Sequence, residues 1–349
     1  MSYFEGLKST SEGTLLSVFE KAAKSFPKIP AIETKYKTVT YKKLLRRAKA
    51  IAKVLHQKGV GVGDRVVVKL PTGGVELYET ILGILFSGAA YVPIDFEDSE
   101  SRHLRIAVTC DAAAVFTESG LEIRHGRRRA LTEASPKSDA WIIFTSGSTG
   151  TPKAVAVTHE SAVNFVFAEQ KLFGSNRLIK PGTRVAATLS PAFDASVEEM
   201  WLAWANGGTL VPIAREVLTS GPDLPHALQN ERIEVLSTIP SIARFLTEEE
   251  MSGLKLLILG GEAVTVELAE GLQREGMELW NTYGPTEATV ITTATHLRRG
   301  DPITIGLPIQ GSSIAVLDES GRPVELGEVG ELAISGKCLG RYLNDEFDK

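Results

Sequence analysis

Short apolar runs alternate along this chain with stretches of helical period, and no other feature constrains its fold as tightly. The runs Arg65 to Leu70, Ala89 to Ile94, Arg184 to Leu189, Leu210 to Ile213, Val235 to Ile239 and Leu256 to Leu259 read as buried strands. Between them, Leu15, Val18, Phe19 and Ala22 recur at helical spacing, as do the apolar positions of Tyr41 to His56, which Gly59 ends, and of Leu77 to Phe86. Strands alternating with helices predict a doubly wound, mostly parallel α/β architecture over residues 1 to 295. After about residue 296 the texture changes. Ile303 to Ile305, Ser313 to Leu317, Pro323 to Val324 and Gly330 to Ser335 are short strand-like pieces separated by Gly, Pro and Asp, and predict a small all-β unit over 296 to 349.

Charge excludes one large class of function. The 349 residues carry 38 Lys+Arg against 43 Asp+Glu, a net charge of −5, so nucleic acid held by bulk electrostatics is not expected as a partner. The longest greasy stretch, Ile81 to Ile94, is shorter than the roughly 18 residues a membrane helix needs, and MSYFEGLKST has no signal-peptide pattern. The expectation is a cytoplasmic protein with no membrane segment here. Cys110 and Cys338 are the two cysteines, too few for a disulfide framework or a cysteine zinc site, and are expected as buried thiols. The basic run Arg124 to Arg129 reads as a solvated loop.

Chemistry concentrates in Ile142 to Lys153. An apolar strand runs into Thr145, Ser146, Gly147, Ser148, Thr149 and Gly150, and the loop closes through Thr151 and Pro152 on Lys153. Backbone N–H groups, hydroxyls and one cation in that order suit phosphate oxygens. The spacing is not that of the GxxxxGK[ST] loop, because Pro152 stands where its second glycine belongs.

FTSGSTGTPKAV resembles the signature of the adenylate-forming superfamily, and specifically of non-ribosomal peptide synthetase adenylation domains. Gly88 to Asp95, Phe193 to Glu198, Asn281 to Glu287, and Gly330 to Leu332 with Gly340 to Leu343 are similar, in the expected order, to further motifs of that family. The resemblance spans nearly the whole chain. It implies two doubly wound sheets with a small β-barrel-like subdomain, and an enzyme that joins an amino acid to the α-phosphorus of ATP, releases pyrophosphate, and passes the aminoacyl group to phosphopantetheine on a separate carrier protein domain. By the same resemblance Thr145, Ser146, Lys153, Thr286 and Glu287 serve catalysis, with Glu287 binding Mg²⁺ and Thr286 near the α-phosphate. Tyr283 would stack on adenine and Asn281 read its exocyclic amine. Gly261, Glu262 and Ala263 would line the other face, with Gly284 close by.

Carried over position by position, the amino acid pocket comprises Asp194, Ala195, Glu198, Ser237, Ile258, Gly260, Thr282, Val290 and Ile291, with Asp194 on the substrate's α-ammonium. Asp194 and Glu198 are four apart, so a helix over Ala195 to Trp201 projects both to one face of an apolar segment. Glu198 is then the one charge available to the substrate's side chain. A lone buried carboxylate costs several kcal/mol unless a cation meets it. A basic substrate is therefore predicted, most like lysine, and the pattern resembles lysine-activating pockets such as those of bacitracin-type and ε-poly-lysine synthetases. Ornithine and arginine stay open, as does a Glu198 that turns to solvent or pairs with a protein Arg. Glu199 is predicted to point elsewhere, with Glu199→Gln mild.

Family members continue past the glycine-rich motif with a ribose-binding aspartate, a hinge and a C-terminal lid carrying a catalytic lysine. Those segments are absent from this sequence, which ends at Lys349, so the expectation is an N-terminal core that binds ATP and amino acid and adenylates weakly. The missing lid subdomain and the carrier are the expected partners. Two other readings remain: an acyl- or aryl-CoA ligase of the same superfamily, in which Asp194 would lack its ammonium, and a non-catalytic nucleotide-binding or docking core. GxSxG and HExxH motifs do not occur. His159 reads either as a loop-positioning or as a structural histidine.

Overall fold

The computed structural model describes residues 2–126, 132–145, 153–174, 178–220, 223–247 and 249–344. Two sheets with parallel centres and antiparallel edges dominate it. The nine-stranded sheet has at its centre the parallel strands Glu278–Tyr283, Leu256–Leu259, Val235–Thr238, Arg184–Ala187 and Thr209–Pro212, in that spatial order. The seven-stranded sheet is built on Asp139–Thr145, Ala90–Pro93, Arg65–Val68 and Ala114–Thr117, also parallel neighbours.

The apolar runs are continuous because both faces of each sheet are covered. Val66 and Val68 join the main core, which also takes Val185, Val235, Leu256 and Ile258 from the larger sheet, while Val67 turns to a separate cluster with Val92 and Ile142. On the larger sheet Ala186, Leu236 and Leu257 face away in the same manner. Helices fill the space between the sheets, among them Leu15–Ser25, Tyr41–Gln57, Glu76–Ser87, His159–Phe173 and Ala195–Trp204. Each starts or stops where local chemistry dictates. Thr14 caps the first helix with a reciprocal Thr14/Ser17 capping box, Thr40 and Thr158 cap two others, and Gly88, at φ 83°, ends Glu76–Ser87 in the left-handed conformation. Ala195–Trp204 is buried all round from Ser196 to Trp204, as an apolar helix between layers must be.

The late segment departs from a β-barrel-like unit. Ser312–Leu317 and Glu331–Gly336 pair antiparallel, and their third partner is Tyr3–Glu5 from the N-terminus, giving an open three-stranded sheet with no closed barrel among the described residues. Leu307–Pro308 and Arg341–Tyr342 instead extend the two large sheets. Ile303 to Ile305 is not a strand: side chains take its carbonyls, Asn281 Nδ2 donating to Thr304 O at 2.7 Å and Thr293 Oγ1 to Ile305 O at 2.6 Å. Pro323 makes a single bridge, to Leu317. Both cysteines are buried free thiols, and among the described residues no helix is long and apolar enough to cross a membrane.

Tyr41 ties a helix to the larger sheet. Its fully buried hydroxyl donates to Gly208 O at 2.7 Å. Tyr41→Phe is expected to lower unfolding free energy by about 1–2 kcal/mol in urea titration, since that carbonyl loses its donor without access to water.

Candidate active site

Parallel strands end where the ligand cavities open. The carboxyl ends of Val235–Thr238, Leu256–Leu259 and Glu278–Tyr283 lead directly into Ile239, Gly260-Gly261 and Gly284, the position at which open α/β sheets bind ligands. Two neighbouring cavities share Gly261, Thr282 and Gly284.

The narrower cavity has a volume of about 70 Å³, several times what one water needs. Asp194, Ala195, Glu198, Ser237, Gly260, Thr282, Val290 and Ile291 all line it, together with Leu189, Thr238 and Ile239. Ile258 lies fully buried in its strand and is not on the wall. Gly260 keeps the wall bare, because a Cβ there would stand 2.8 Å from Thr282 Oγ1. Val290 contributes to it from φ 68°, a backbone conformation that β-branched residues rarely hold.

Helix Ala195–Trp204 supplies both acids, Asp194 as its N-terminal flanking residue and Glu198 one turn later. Glu198 is 2% exposed. Its Oε2 accepts from the Ser237 hydroxyl, and its Oε1 receives no hydrogen bond. Among the described residues it neither turns to solvent nor meets a cation, for the groups that set its charge are Glu169, Ser237 and Asp194, and burial raises its pKa. Asp194 is hydrogen-bonded by Thr286 while its Oδ2 is unpartnered; burial pushes its carboxyl up to about 6, against the lowering effect of Thr286 and the helix N–H groups.

Glu199 does point elsewhere. It accepts from Thr188 N at 2.7 Å, Thr188 Oγ1 at 2.9 Å and Leu189 N, so it holds the end of strand Arg184–Ala187 to the helix. Burial still pushes it up to about 8, with those donors opposing.

The wider cavity, of about 480 Å³, is lined by Gly261, Glu262, Ala263, Asn281, Tyr283 and Gly284, all singled out from the sequence, and also by Val264 and Ile303 to Ile305. Tyr283 is 37% exposed and offers a ring face; Asn281 spends an N–H on Thr304 O, which leaves its amide oxygen as an acceptor. Gly261 sits at φ 76°. Glu262 accepts from Ser241 N at 2.9 Å and Ser241 Oγ at 2.8 Å, fixing the loop.

Ser146, Gly147, Ser148, Thr149, Gly150, Thr151 and Pro152 lie outside the described residues, as do Arg127 to Arg129 of the basic run. The flanks of the loop are described. Thr145 Oγ1 donates to Lys153 O at 3.4 Å, and Lys153 Nζ stands 5.3 Å from the ring centroid of Tyr342. The Tyr342 hydroxyl donates to Glu287 Oε1 at 2.7 Å, and Gly340 N to Glu287 O at 2.8 Å. The late glycine-rich motif therefore links the loop's lysine to Glu287, a role for Tyr342 that spacing alone does not reveal. His159 is fully buried, its pKa lowered to about 4 by burial, and its Nδ1 accepts from Leu15 N at 3.4 Å: its contacts are structural.

Comparison with known proteins agrees with this layout: the model of the AMP-binding enzyme family matches residues 19–137 and 125–342. The chain belongs to the AMP-binding enzyme family. Among its curated relatives, a linear gramicidin synthase protein of Brevibacillus parabrevis is 36% identical over 93% of this chain and 7% of that protein. Delta-poly-L-ornithine synthetase of Acinetobacter baumannii is 34% identical over 94% of this chain and 25% of that one. This AMP-binding chain thus spans a quarter or less of either relative. Among solved structures, the four-domain non-ribosomal peptide synthetase AB3403, bound to AMP and glycine, superposes with a TM-score of 0.85 at 30% identity, over 99% of this chain and 27% of that one. The N-terminal subdomain of Klebsiella oxytoca NpsA shares the fold, with a TM-score of 0.84 at 21% identity over 97% and 89% of the two chains.

Truncating Glu199 to Ala should strand three part-buried donors and lower stability by about 1–3 kcal/mol in denaturant unfolding, whereas Glu199→Gln keeps an acceptor oxygen and should cost less than half of that.

Proposed function

We propose that this AMP-binding core activates a basic amino acid, with L-lysine the best fit, as an aminoacyl-adenylate for loading onto a phosphopantetheine carrier in non-ribosomal peptide or poly-amino-acid synthesis. One observation carries the reading: the buried Glu198 and the part-buried Asp194, each with a buried oxygen lacking a hydrogen bond, open on one narrow cavity with no cation among the described residues that line it. A substrate with ammonium groups at both ends of a slim aliphatic chain satisfies both. Asp194 takes the α-ammonium and Glu198 the side-chain ammonium, while Gly260, Val290 and Ile291 accommodate the methylenes. A relative named for poly-L-ornithine synthesis supports a basic substrate. One methylene separates ornithine from lysine and is worth only about 1–3 kcal/mol.

ATP would occupy the wider cavity, with adenine against Tyr283 and its exocyclic amine on the Asn281 amide oxygen. The substrate carboxylate then attacks the α-phosphorus; an O–P bond forms as the bond to pyrophosphate breaks. Positioning and charge neutralisation suffice for such a transfer. Lys153 and Thr145, with Ser146 of the loop between them as the motif resemblance implies, are assigned to the phosphates, and Thr286, which hydrogen-bonds Asp194, to the α-phosphate. Glu287, with Tyr342 holding one of its oxygens, has the donor set of a Mg²⁺ site completed by phosphate oxygens, as Mg²⁺ usually prefers one or two carboxylates beside a nucleotide. When bound, Mg²⁺ supplies charge neutralisation of the β- and γ-phosphates.

Glu198→Gln should depress lysine-dependent ATP–pyrophosphate exchange by about a hundredfold and leucine-dependent exchange by less than about threefold; equal losses would refute the pairing. Tyr342→Phe should raise the KM for Mg-ATP by about threefold to tenfold and leave the KM for lysine unchanged. The raised carboxyl of Asp194 sets a pH dependence. An α-ammonium favours the ionised form, so bound Asp194 titrates below its free value, and amino acid affinity is full above that value and falls as pH drops through about 6. For the empty fold the sign is opposite, since the protonated acid is favoured below that pH. Calorimetric affinity that stays flat from about pH 8 to about pH 5 would remove Asp194 from ammonium recognition.

A further inference from the structure

Glu169 belongs to none of the motifs above, yet it is the nearest ionisable neighbour of the pocket's specificity carboxylate. It lies on helix His159–Phe173, which packs on Ala195–Trp204, and it is 2% exposed. Among the described residues neither of its carboxyl oxygens receives a hydrogen bond from a nitrogen or hydroxyl. Its polar partner is Glu198, the two carboxyls lying within hydrogen-bonding reach of each other. Two buried carboxyls in contact without a cation hold together only with a proton between them. Burial pushes Glu169 well above the usual range and raises Glu198 as well, so the pair holds a proton between its two carboxyls. Asp194 and Glu199, the other titratable groups around Glu198, are both acids and supply no competing cation.

We propose that Glu169 is a positioning residue for substrate selection: its protonated carboxyl donates to Glu198 and, with the Ser237 hydroxyl, leaves that carboxylate one free direction, suited to a primary ammonium and not to a guanidinium. The inference rests on the basic-substrate reading and narrows it. Arginine recognition uses two parallel N–H bonds to both oxygens of a carboxylate, and Ser237 already occupies Oε2. A lysine or ornithine ammonium is a compact charge that needs only the unpartnered Oε1. Glu169 is not on the cavity wall and touches no substrate, so its effect passes through Glu198.

The test is calorimetric binding of L-lysine, L-arginine and L-leucine to the full chain and to Glu169→Gln, Glu169→Met and Ser237→Ala. Gln retains an N–H donor for Glu198, so Glu169→Gln should keep lysine affinity within about threefold, while Glu169→Met should lose about tenfold or more for lysine and little for leucine. Ser237→Ala frees Oε2 and should improve arginine relative to lysine by about tenfold, a readout that does not depend on Glu169→Met folding. Unchanged lysine affinity in Glu169→Met, equal losses for lysine and leucine, failure of Gln to rescue, or wild-type arginine affinity equal to that for lysine would each overturn the proposal. A wild-type chain that binds no basic amino acid would sink the basic-substrate reading itself, whereas lysine binding with indifferent variants would sink only the role of Glu169.

Discussion

Acidic side chains buried without a cation are the constraint on which the rest of the molecule turns. Each costs several kcal/mol of desolvation unless donors or a cation meet it. Glu198 and Glu199 lie on one largely apolar helix wedged between two sheets and cannot relax to solvent, while the part-buried Asp194 flanks its N-terminus. Their environments separate them. Glu199 is satisfied by backbone and hydroxyl donors and belongs to the scaffold; Asp194 and Glu198 retain unpartnered oxygens and are the two acids we assign to the ligand.

That helix can sit there because both sheets are covered on both faces. A main core and two outer clusters take alternate residues of the same strands, which fixes the strand ends in space. Glycine at those ends lets backbone form the walls of both cavities. The nucleotide side follows the same logic at lower burial: Asn281 is oriented by Thr304 and Glu287 by Tyr342, so the groups facing a ligand are fixed by neighbours before it arrives.

Strands made of continuous apolar runs announce themselves, so Leu256–Leu259 was legible to the residue and the other runs to within two, whereas the central Glu278–Tyr283, whose polar Asn281 and Thr282 break the run, was not. Most of the residues that line the two cavities were legible through ordered motifs, although no spacing could say that Ile258 faces the core. The edges were not legible. Ile303 to Ile305 has the composition of a strand but spends its carbonyls on side chains, and the expected barrel is an open sheet because its third strand comes from residues some three hundred positions away. Tyr342 and Glu169 escaped for the same reason. Each acts through a contact between elements distant in sequence, Tyr342 on Glu287 and Glu169 on Glu198; Tyr342 lies in a motif that does not name this contact, and Glu169 lies in none.

The most direct measurement of the central claim is the affinity of the wild-type chain for a panel of L-lysine, L-ornithine, L-leucine and L-glutamate by calorimetry at neutral pH with a non-hydrolysable ATP analogue present. The account requires lysine and ornithine to bind, leucine to bind at least about tenfold more weakly, and glutamate not at all, because only an ammonium offsets the buried Glu198 charge. Leucine or glutamate binding as tightly as lysine would contradict it.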